Sequence, residues 1–261
     1  MKGKVAIITG STQGLGEGIA RKFILEGLEG LIICGRNTIK GRRLETEFTA
    51  NGCRTIYVEA DFAKHDEVLR VLEVAKTSFP EIHILVNSAG ITDRATLLDT
   101  TEDFYDRMFN INFKAPFFLM QGVSRLMLDK NIHGSILNIL SMSSYGGQPF
   151  LAAYCSSKSA LLTLTKNSAF ALMKNHIRVN GINLGWTDTP GEDRIQHEYH
   201  NAGDNWLKKI EEEQPFGRLI KPSDIGELAY FILSDKSGLM TGSIIDYDQS
   251  VIGANYLPPR P

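Results

Sequence analysis

The stretch Val5-Ala6-Ile7-Ile8-Thr9-Gly10-Ser11-Thr12-Gln13-Gly14-Leu15-Gly16 decides the fold. Its short, uninterrupted apolar run reads as a strand buried on both faces. The run empties into a loop with three glycines, and apolar residues at helical spacing follow (Ile19, Ala20, Phe23, Ile24). Strand, glycine loop and helix in that order make a dinucleotide-binding element. The glycines allow a tight turn and close main-chain approach, while the helix N-terminus attracts phosphate. The spacing is G-x-x-x-G-x-G rather than the commoner G-x-G-x-x-G. Gly10, Ser11, Thr12, Gln13, Gly14, Leu15 and Gly16 are therefore candidate cofactor contacts.

A second strand, Leu31 to Cys34, ends in Gly35-Arg36-Asn37. An NAD site places an acid about 20 residues past the glycines, on the ribose 2′-hydroxyl. This chain has Arg36 there, which suits the 2′-phosphate of NADP. NADP(H) is the preferred cofactor on this reading and NAD(H) stays possible; the plain alternative is a solvent-exposed loop arginine. Further strands are expected at Arg54–Val58, Ile82–Val86, Ser135–Leu140, Arg178–Asn183 and Gly242–Tyr247. Helices are expected at about 64–78, 101–129 and 152–174. Asp61 and Phe62, at the end of the third strand, either border the adenine or cap and pack the next helix. The alternation of strands with helices implies right-handed crossovers and a parallel sheet covered on both faces. Ligands of such sheets bind beyond the carboxyl ends of the strands. The glycine loop, Asn87, Ser141 and the segment after Asn183 all fall there.

The chain has 261 residues, 43% hydrophobic and 22% charged, with a net charge of −2. That composition suits one globular domain spanning residues 1–261, and the mixed charges point away from nucleic acid or an anionic membrane. No apolar run approaches the ~20 residues of a membrane span, and the N-terminal run is too short for a signal peptide. Cytoplasmic localisation is expected, with Cys34, Cys53 and Cys155 as reduced thiols. Their dispersal offers no metal-ligand spacing, and His197 with His200 lacks a third partner, so no metal is expected.

Tyr154 and Lys158 stand four apart in the helical segment from Ala152, so they share a face. A free tyrosine ionises near pH ~10, and a neighbouring cation favours the phenolate. A tyrosine tuned this way takes a proton from an alcohol or gives one to a carbonyl. Taken alone, such a pair is more often a solvated helix face.

With Thr9-Gly10-x-x-x-Gly14-x-Gly16, Asn87-Ser88-Ala89-Gly90, Asn112, Ser141, Tyr154-x-x-x-Lys158 and Pro215-Phe216-Gly217-Arg218 through Ile225, the chain resembles the short-chain dehydrogenase/reductase family over nearly its whole length. The type resembled is the 3-oxoacyl reductases and sugar dehydrogenases. The resemblance implies an NAD(P)-dependent oxidoreductase on an α/β, Rossmann-type doubly wound sheet of about seven parallel strands. It makes Tyr154 the general acid/base, has Lys158 lower its pKa and hold the nicotinamide ribose, lets Ser141 bond the reacting oxygen (Ser143 in reserve) and puts Asn112 in a proton relay. It adds Asn37, Asn87, Ala89, Gly90, Gly185, Thr187 and Thr189 to the cofactor contacts. It also implies a homotetramer or dimer built on the helices near 101–129 and 152–174. The chain departs from the family at Ser88, at Leu184-Gly185 in place of Pro-Gly, and at Asp248-Gln249-Ser250 in place of Asp-Gly-Gly. The second change is expected to loosen the loop that closes on the nicotinamide, and the third leaves the packing of the last strand open.

By position, residues 186–214 form the substrate loop. It is polar and charged, which points to a small-molecule substrate such as a sugar, polyol or keto/hydroxy acid. Ser141, Ser143, Gln148, Tyr154 and Trp186 are the candidate substrate contacts. Arg94 and Arg194 either meet a carboxylate or are solvated surface charges. Two other functions remain open on the same fold: a non-catalytic NAD(P)-binding sensor or regulator, and an epimerase or dehydratase.

Overall fold

The apolar runs pair side by side into one parallel sheet. The computed structural model describes residues 1–252. The proline-rich end at Pro258–Pro261, expected to wrap a neighbouring subunit or to be disordered, lies outside the described residues. In chain order the main elements are β1 (Val5–Ile8), α1 (Gly14–Leu25), β2 (Gly30–Gly35), α2 (Thr38–Ala50), β3 (Arg54–Glu59), α3 (His65–Ser78), β4 (Ile84–Asn87), α4 (Glu102–Phe109), α5 (Ala115–Asp129), β5 (Ser135–Ile139), α6 (Ala152–Leu172), β6 (Arg178–Leu184), α7 (Pro190–His200), α8 (Trp206–Glu213), α9 (Pro222–Leu233) and β7 (Ile244–Tyr247). The strand order is β3-β2-β1-β4-β5-β6-β7, every neighbouring pair parallel. The order reverses at β1, which opens a crevice above the carboxyl ends of β1 and β4.

Successive strand residues face opposite sides, so each strand feeds two cores. Ile7, Ile32, Leu85, Ile136 and Val179 pack with residues of α3, α5 and α6, among them Val71, Leu119, Val123 and Ala169. Ile8, Ile33, Val86, Leu137 and Ile182 pack with Ile19, Phe23, Phe48, Ile225 and Ala229 on the other face. A fully buried Ile, Leu or Phe side chain contributes about 1.5–3 kcal/mol, which is why strands that alternate nothing in sequence still hold register.

Helix starts follow local chemistry. Asn37 accepts from the Lys40 amide at 2.9 Å to cap α2, and Thr101 caps α4 through the Phe104 amide. Thr189 accepts from the Glu192 amide ahead of Pro190 to start α7. Gln13, at the start of α1, gives no side-chain cap. The N-terminal amides of that helix are left for another acceptor.

Three features differ from the sequence expectation. The single helix expected near 101–129 is α4 and α5 joined by a π-helical turn, Asn110–Lys114, which contains Asn112. Such a bulge adds a residue to one turn and commonly sits at functional sites. The substrate loop is mostly helical, because two amphipathic stretches fold as α7 and α8. Its entry is also tied down despite the missing proline. Gly185 donates to Tyr247 O, Asp188 donates to Ile220 O, and Ile220 donates to Trp186 O, with Thr187 and Ile220 paired as a parallel bridge. The final strand is held too, since Gln249 accepts from the Phe216 amide and donates to Arg218 O.

α1 and α9 meet backbone to backbone. A Cβ built on Gly18 would lie 2.6 Å from the Pro222 carbonyl oxygen, and one on Gly226 would lie 3.0 Å from Gly18 O. Gly18→Ala gains about 1 kcal/mol of helix propensity but overpacks a crossing where such insertions cost about 1–3 kcal/mol. The expected outcome is a lower melting temperature by calorimetry; an unchanged or higher one would show that the helices can separate freely.

Candidate functional site

Two adjoining clefts open above the carboxyl ends of the strands. The first, about 580 Å³, is lined by the glycine loop, Arg36, Asn37, Asp61, Phe62, Ala89, Gly90 and Thr189. The second, about 830 Å³, is lined by Ser141, Ser143, Gln148, Tyr154, Lys158, Gly185, Trp186 and Thr187. They share Gln13, Leu15, Arg36, Gly90 and Thr189, so they form one continuous trough.

The first cleft fits an extended dinucleotide. Gly10 (φ +63°) and Gly14 (φ +59°) adopt the left-handed region that favours glycine. A Cβ on Gly10 would sit 2.8 Å from the Ala89 Cα, so the loop passes β4 with no room for a side chain. The uncapped start of α1 and its dipole then face the cleft floor. Arg36 is exposed at the end of β2 and forms no ion pair among the described residues. Lys40 lies close by, its ammonium 3.1 Å from Gln13 Oε1. Asn37 is occupied as the α2 cap, and Asp61 Oδ1 accepts from the Ala63 amide.

Two expected cofactor residues stand behind this surface. Ser11 donates to Ile8 O and accepts from the Cys34 amide, so it ties the loop to β2. Asn87 is buried and donates to Asn138 Oδ1, which belongs to a polar chain continuing through Asn138 Nδ2 to Thr165. Neither side chain lines either cleft. The nearby Thr9 hydroxyl, absent from the sequence candidates, accepts from the amides of Ser88 and Ala89 and so shapes the cleft wall.

α6 sets the second cleft. Tyr154, Lys158, Leu161, Thr165 and Ala169 form its buried face against the sheet. That register hangs the phenol and the ammonium over the end of β5. Lys158 Nζ donates to Ile139 O at 2.8 Å and lies 5.9 Å from the Tyr154 ring centroid. Gly90 packs between neighbours here: its missing Cβ would be 3.4 Å from Asn112 Oδ1 and 3.6 Å from Lys158 Nζ. The Asn112 side chain is fully engaged. Its Oδ1 accepts from the Ile91 amide, and its Nδ2 donates to Ile91 O and Ser157 Oγ. It pins the π-turn to the loop after β4, and Asn112 is not among the residues that line the cleft.

Ser141 ends β5. Its Oγ accepts from the Ser143 amide, and its hydroxyl favours ionisation of the nearby Tyr154 phenol. Ser143 instead points its hydroxyl to Gln148 Oε1 at 2.5 Å. Burial pushes the Tyr154 phenol up to about 12, against the smaller pull of Ser141 and of the Arg94 charge. Burial likewise lowers the Lys158 ammonium to about 8. Burial thus opposes the lowering that a neighbouring cation would bring to Tyr154.

Several lining residues escaped the sequence reading, notably Gln196, Asp248 and Ser250. Asp248 and Ser250 follow the last strand and reach the cleft only because β7 pairs with β6. No local pattern announces that.

A family model described as Enoyl-(Acyl carrier protein) reductase matches residues 10–250. Galactitol 2-dehydrogenase of Agrobacterium fabrum is 34% identical over 263 residues, 98% of this chain and 99% of that one. 2-Dehydro-3-deoxy-D-gluconate 5-dehydrogenase of Dickeya dadantii is 32% identical over 248 residues, 95% of each chain. Among solved structures, a protein of Beutenbergia cavernae assigned as an NAD(P)-dependent gluconate 5-dehydrogenase, with NADP bound at low occupancy, superposes with a TM-score of 0.85 at 26% identity over 95% of this chain and 96% of that one. The chain belongs to the short-chain dehydrogenase/reductase family, NAD(P)-dependent oxidoreductases acting on CH–OH groups.

The buried ammonium has a measurable signature. Lys158 in the unfolded chain keeps its proton to about its ordinary value of 10.5, whereas the folded protein sheds it near 8. Between those values the unfolded state binds more protons, so stability rises with pH. Lys158→Met removes this dependence. The melting temperature of the wild type should therefore gain on that of the variant as the pH rises from 8 to about 10; a constant difference would mean that the lysine is solvated.

Proposed function

We propose that the protein interconverts a secondary alcohol and a carbonyl on a small polar substrate, a sugar, polyol or keto/hydroxy acid, with NADP(H) preferred over NAD(H). The observation that carries the reading is Tyr154 beside Ser141 and near Lys158, all three lining the second cleft, which adjoins the first. When bound, the cofactor supplies or accepts the hydride. The protein handles the proton. In reduction, the neutral Tyr154 phenol gives its proton to the developing alkoxide while Ser141 donates a hydrogen bond to the same oxygen. In oxidation, the alcohol proton passes to the phenolate. A preorganised donor such as Ser141 is worth about 3 kcal/mol at the transition state. Lys158, released from Ile139 O or shared with it, offers positive charge to the phenolate and a hydrogen bond to a ribose hydroxyl. Asn112 acts here by fixing the loop at Gly90 and Ile91.

Cofactor preference rests on Arg36, which lines the first cleft and has no ion-pair partner among the described residues, with Asp61 the only acid among the described residues that line that cleft. The substrate class is supported by the polar side chains Ser141, Ser143, Gln148 and Glu192 in the second cleft and by relatives that act on galactitol and on a deoxy sugar acid. Self-association is supported by exposed apolar surface on the helices named for it: Phe170 on α6 is 77% exposed, and Tyr105, Phe109, Phe113 and Phe117 form an aromatic ladder along α4 and α5. A monomer mass by light scattering would overturn that last point.

Titration with NADPH and NADH should show tighter NADPH binding, and Arg36→Ala should remove most of the difference. Tyr154→Phe should cut turnover about 10²–10⁴-fold while changing NADPH affinity far less. Equal affinity for the two cofactors would make Arg36 a plain surface residue, and an active Tyr154→Phe variant would move the acid/base role elsewhere.

A further inference from the structure

Three arginines line the substrate cleft: Arg36, which the first cleft shares, and Arg94 and Arg194, which the protein treats differently. Arg194 is neutralised: Nη2 lies 2.9 Å from Asp93 Oδ1, and Nη1 meets the Glu198 carboxylate. Arg94 has no carboxylate within ion-pair distance among the described residues. Its Nη1 donates to Thr92 O at 2.5 Å, and its Nε is buried without a partner. One face of the guanidinium lies over the Phe150 ring, 5.8 Å from the centroid.

The backbone holds this arginine in place. Ala95 pairs with Leu151 as a parallel bridge, Ala95 N donates to Phe150 O at 3.0 Å, and Ala152 N donates to Ala95 O at 3.3 Å. Arg94 is therefore attached to the start of α6, beside Tyr154, and its charge acts on that phenol. A half-buried cation without a counter-charge is costly unless something else supplies the charge. The cleft's other open polar groups suit hydroxyls. Gln148 lines it, and Glu192 lines it with Oε1 already fixed by Trp186 Nε1 at 2.8 Å and Gln196 Nε2 at 2.7 Å.

We infer that Arg94 is the anchor for a substrate carboxylate, so that the preferred substrate is a polyhydroxy acid rather than a neutral polyol. This rests on the proposed alcohol–carbonyl chemistry at Tyr154. The guanidinium fork binds a carboxylate with two parallel bonds. The carboxylate end sits at Arg94, the reacting carbon lies by Tyr154 and Ser141, and hydroxyls turn toward Gln148 and Glu192.

The test compares D-gluconate with D-sorbitol, which differ in one end group, carboxylate against CH2OH. Each is titrated into the NADP-loaded protein by the fluorescence of Trp186 and Trp206, and each is assayed for turnover, with wild type, Arg94→Gln and Arg94→Lys. The expected result is that the wild type prefers gluconate. Arg94→Gln should reduce the gluconate-to-sorbitol preference about 10- to 100-fold, the range of a charge-assisted bond, mostly through KM. Arg94→Lys should restore part of it. A preference for sorbitol in the wild type, binding of neither compound, or an equal loss on both substrates would overturn the inference, the last by making Arg94 an electrostatic aid to Tyr154. The parent reading fails separately: gluconate that binds in an Arg94-dependent way but is not turned over keeps the anchor and sinks the chemistry.

Discussion

The structure turns on one ammonium group placed where water does not reach it. Lys158 is buried at the end of β5, with the Ile139 carbonyl as its protein partner. That bond can form only if α6 lies flat on the sheet in a single rotation. The same rotation brings Tyr154 over the crevice and puts Leu161, Thr165 and Ala169 into the core. Helix register, core packing and proton chemistry are thus one constraint. A turn of the helix by a single residue would lose all three together.

Around this point the site divides its work by chemical type. The first cleft uses main chain: glycines with left-handed torsions, a helix start without a cap, and Thr9 bracing the amides that follow β4. In the proposed function these groups meet the phosphate and ribose, whatever is reduced. The second cleft uses side chains, and its charges are set unequally. Arg194 is paired; Arg94 is not. Binding of the common part and selection of the variable part are therefore carried by different kinds of atoms.

Much of this was readable in the chain. Strands buried on both faces leave unbroken apolar runs, so β1, β2 and β5 announce themselves. Glycines forced by close approach leave a fixed spacing, and a helical i, i+4 pair is written four letters apart. What could not be read depends on three-dimensional closure. Asn87 and Asn112 fit the family pattern, and their side chains also hold strands and loops together, which only their partners reveal. The loss of proline at Leu184 suggested a slack loop, but the compensation comes from Ile220 and Tyr247, far away in sequence. For the tyrosine, spacing reports a neighbouring charge and says nothing about the water removed from around it, which pulls its ionisation the other way.

The pairing of Trp186, Thr187 and Asp188 with Ile220 gives the substrate region a simple mechanical form. The chain leaves the sheet at one side of this clasp and returns at the other, and Lys221 closes it again by bridging Asp188 at 3.0 Å and Glu211 at 2.6 Å. α7 and α8 are thus carried between two fixed posts. Such a segment behaves as a cartridge. Its length and inner face can be rewritten without moving the strands that hold the catalytic groups. The clasp itself cannot, because it is shared by the cartridge and the frame. Variation in what the cleft accepts is therefore cheapest between the posts, and it stops at them.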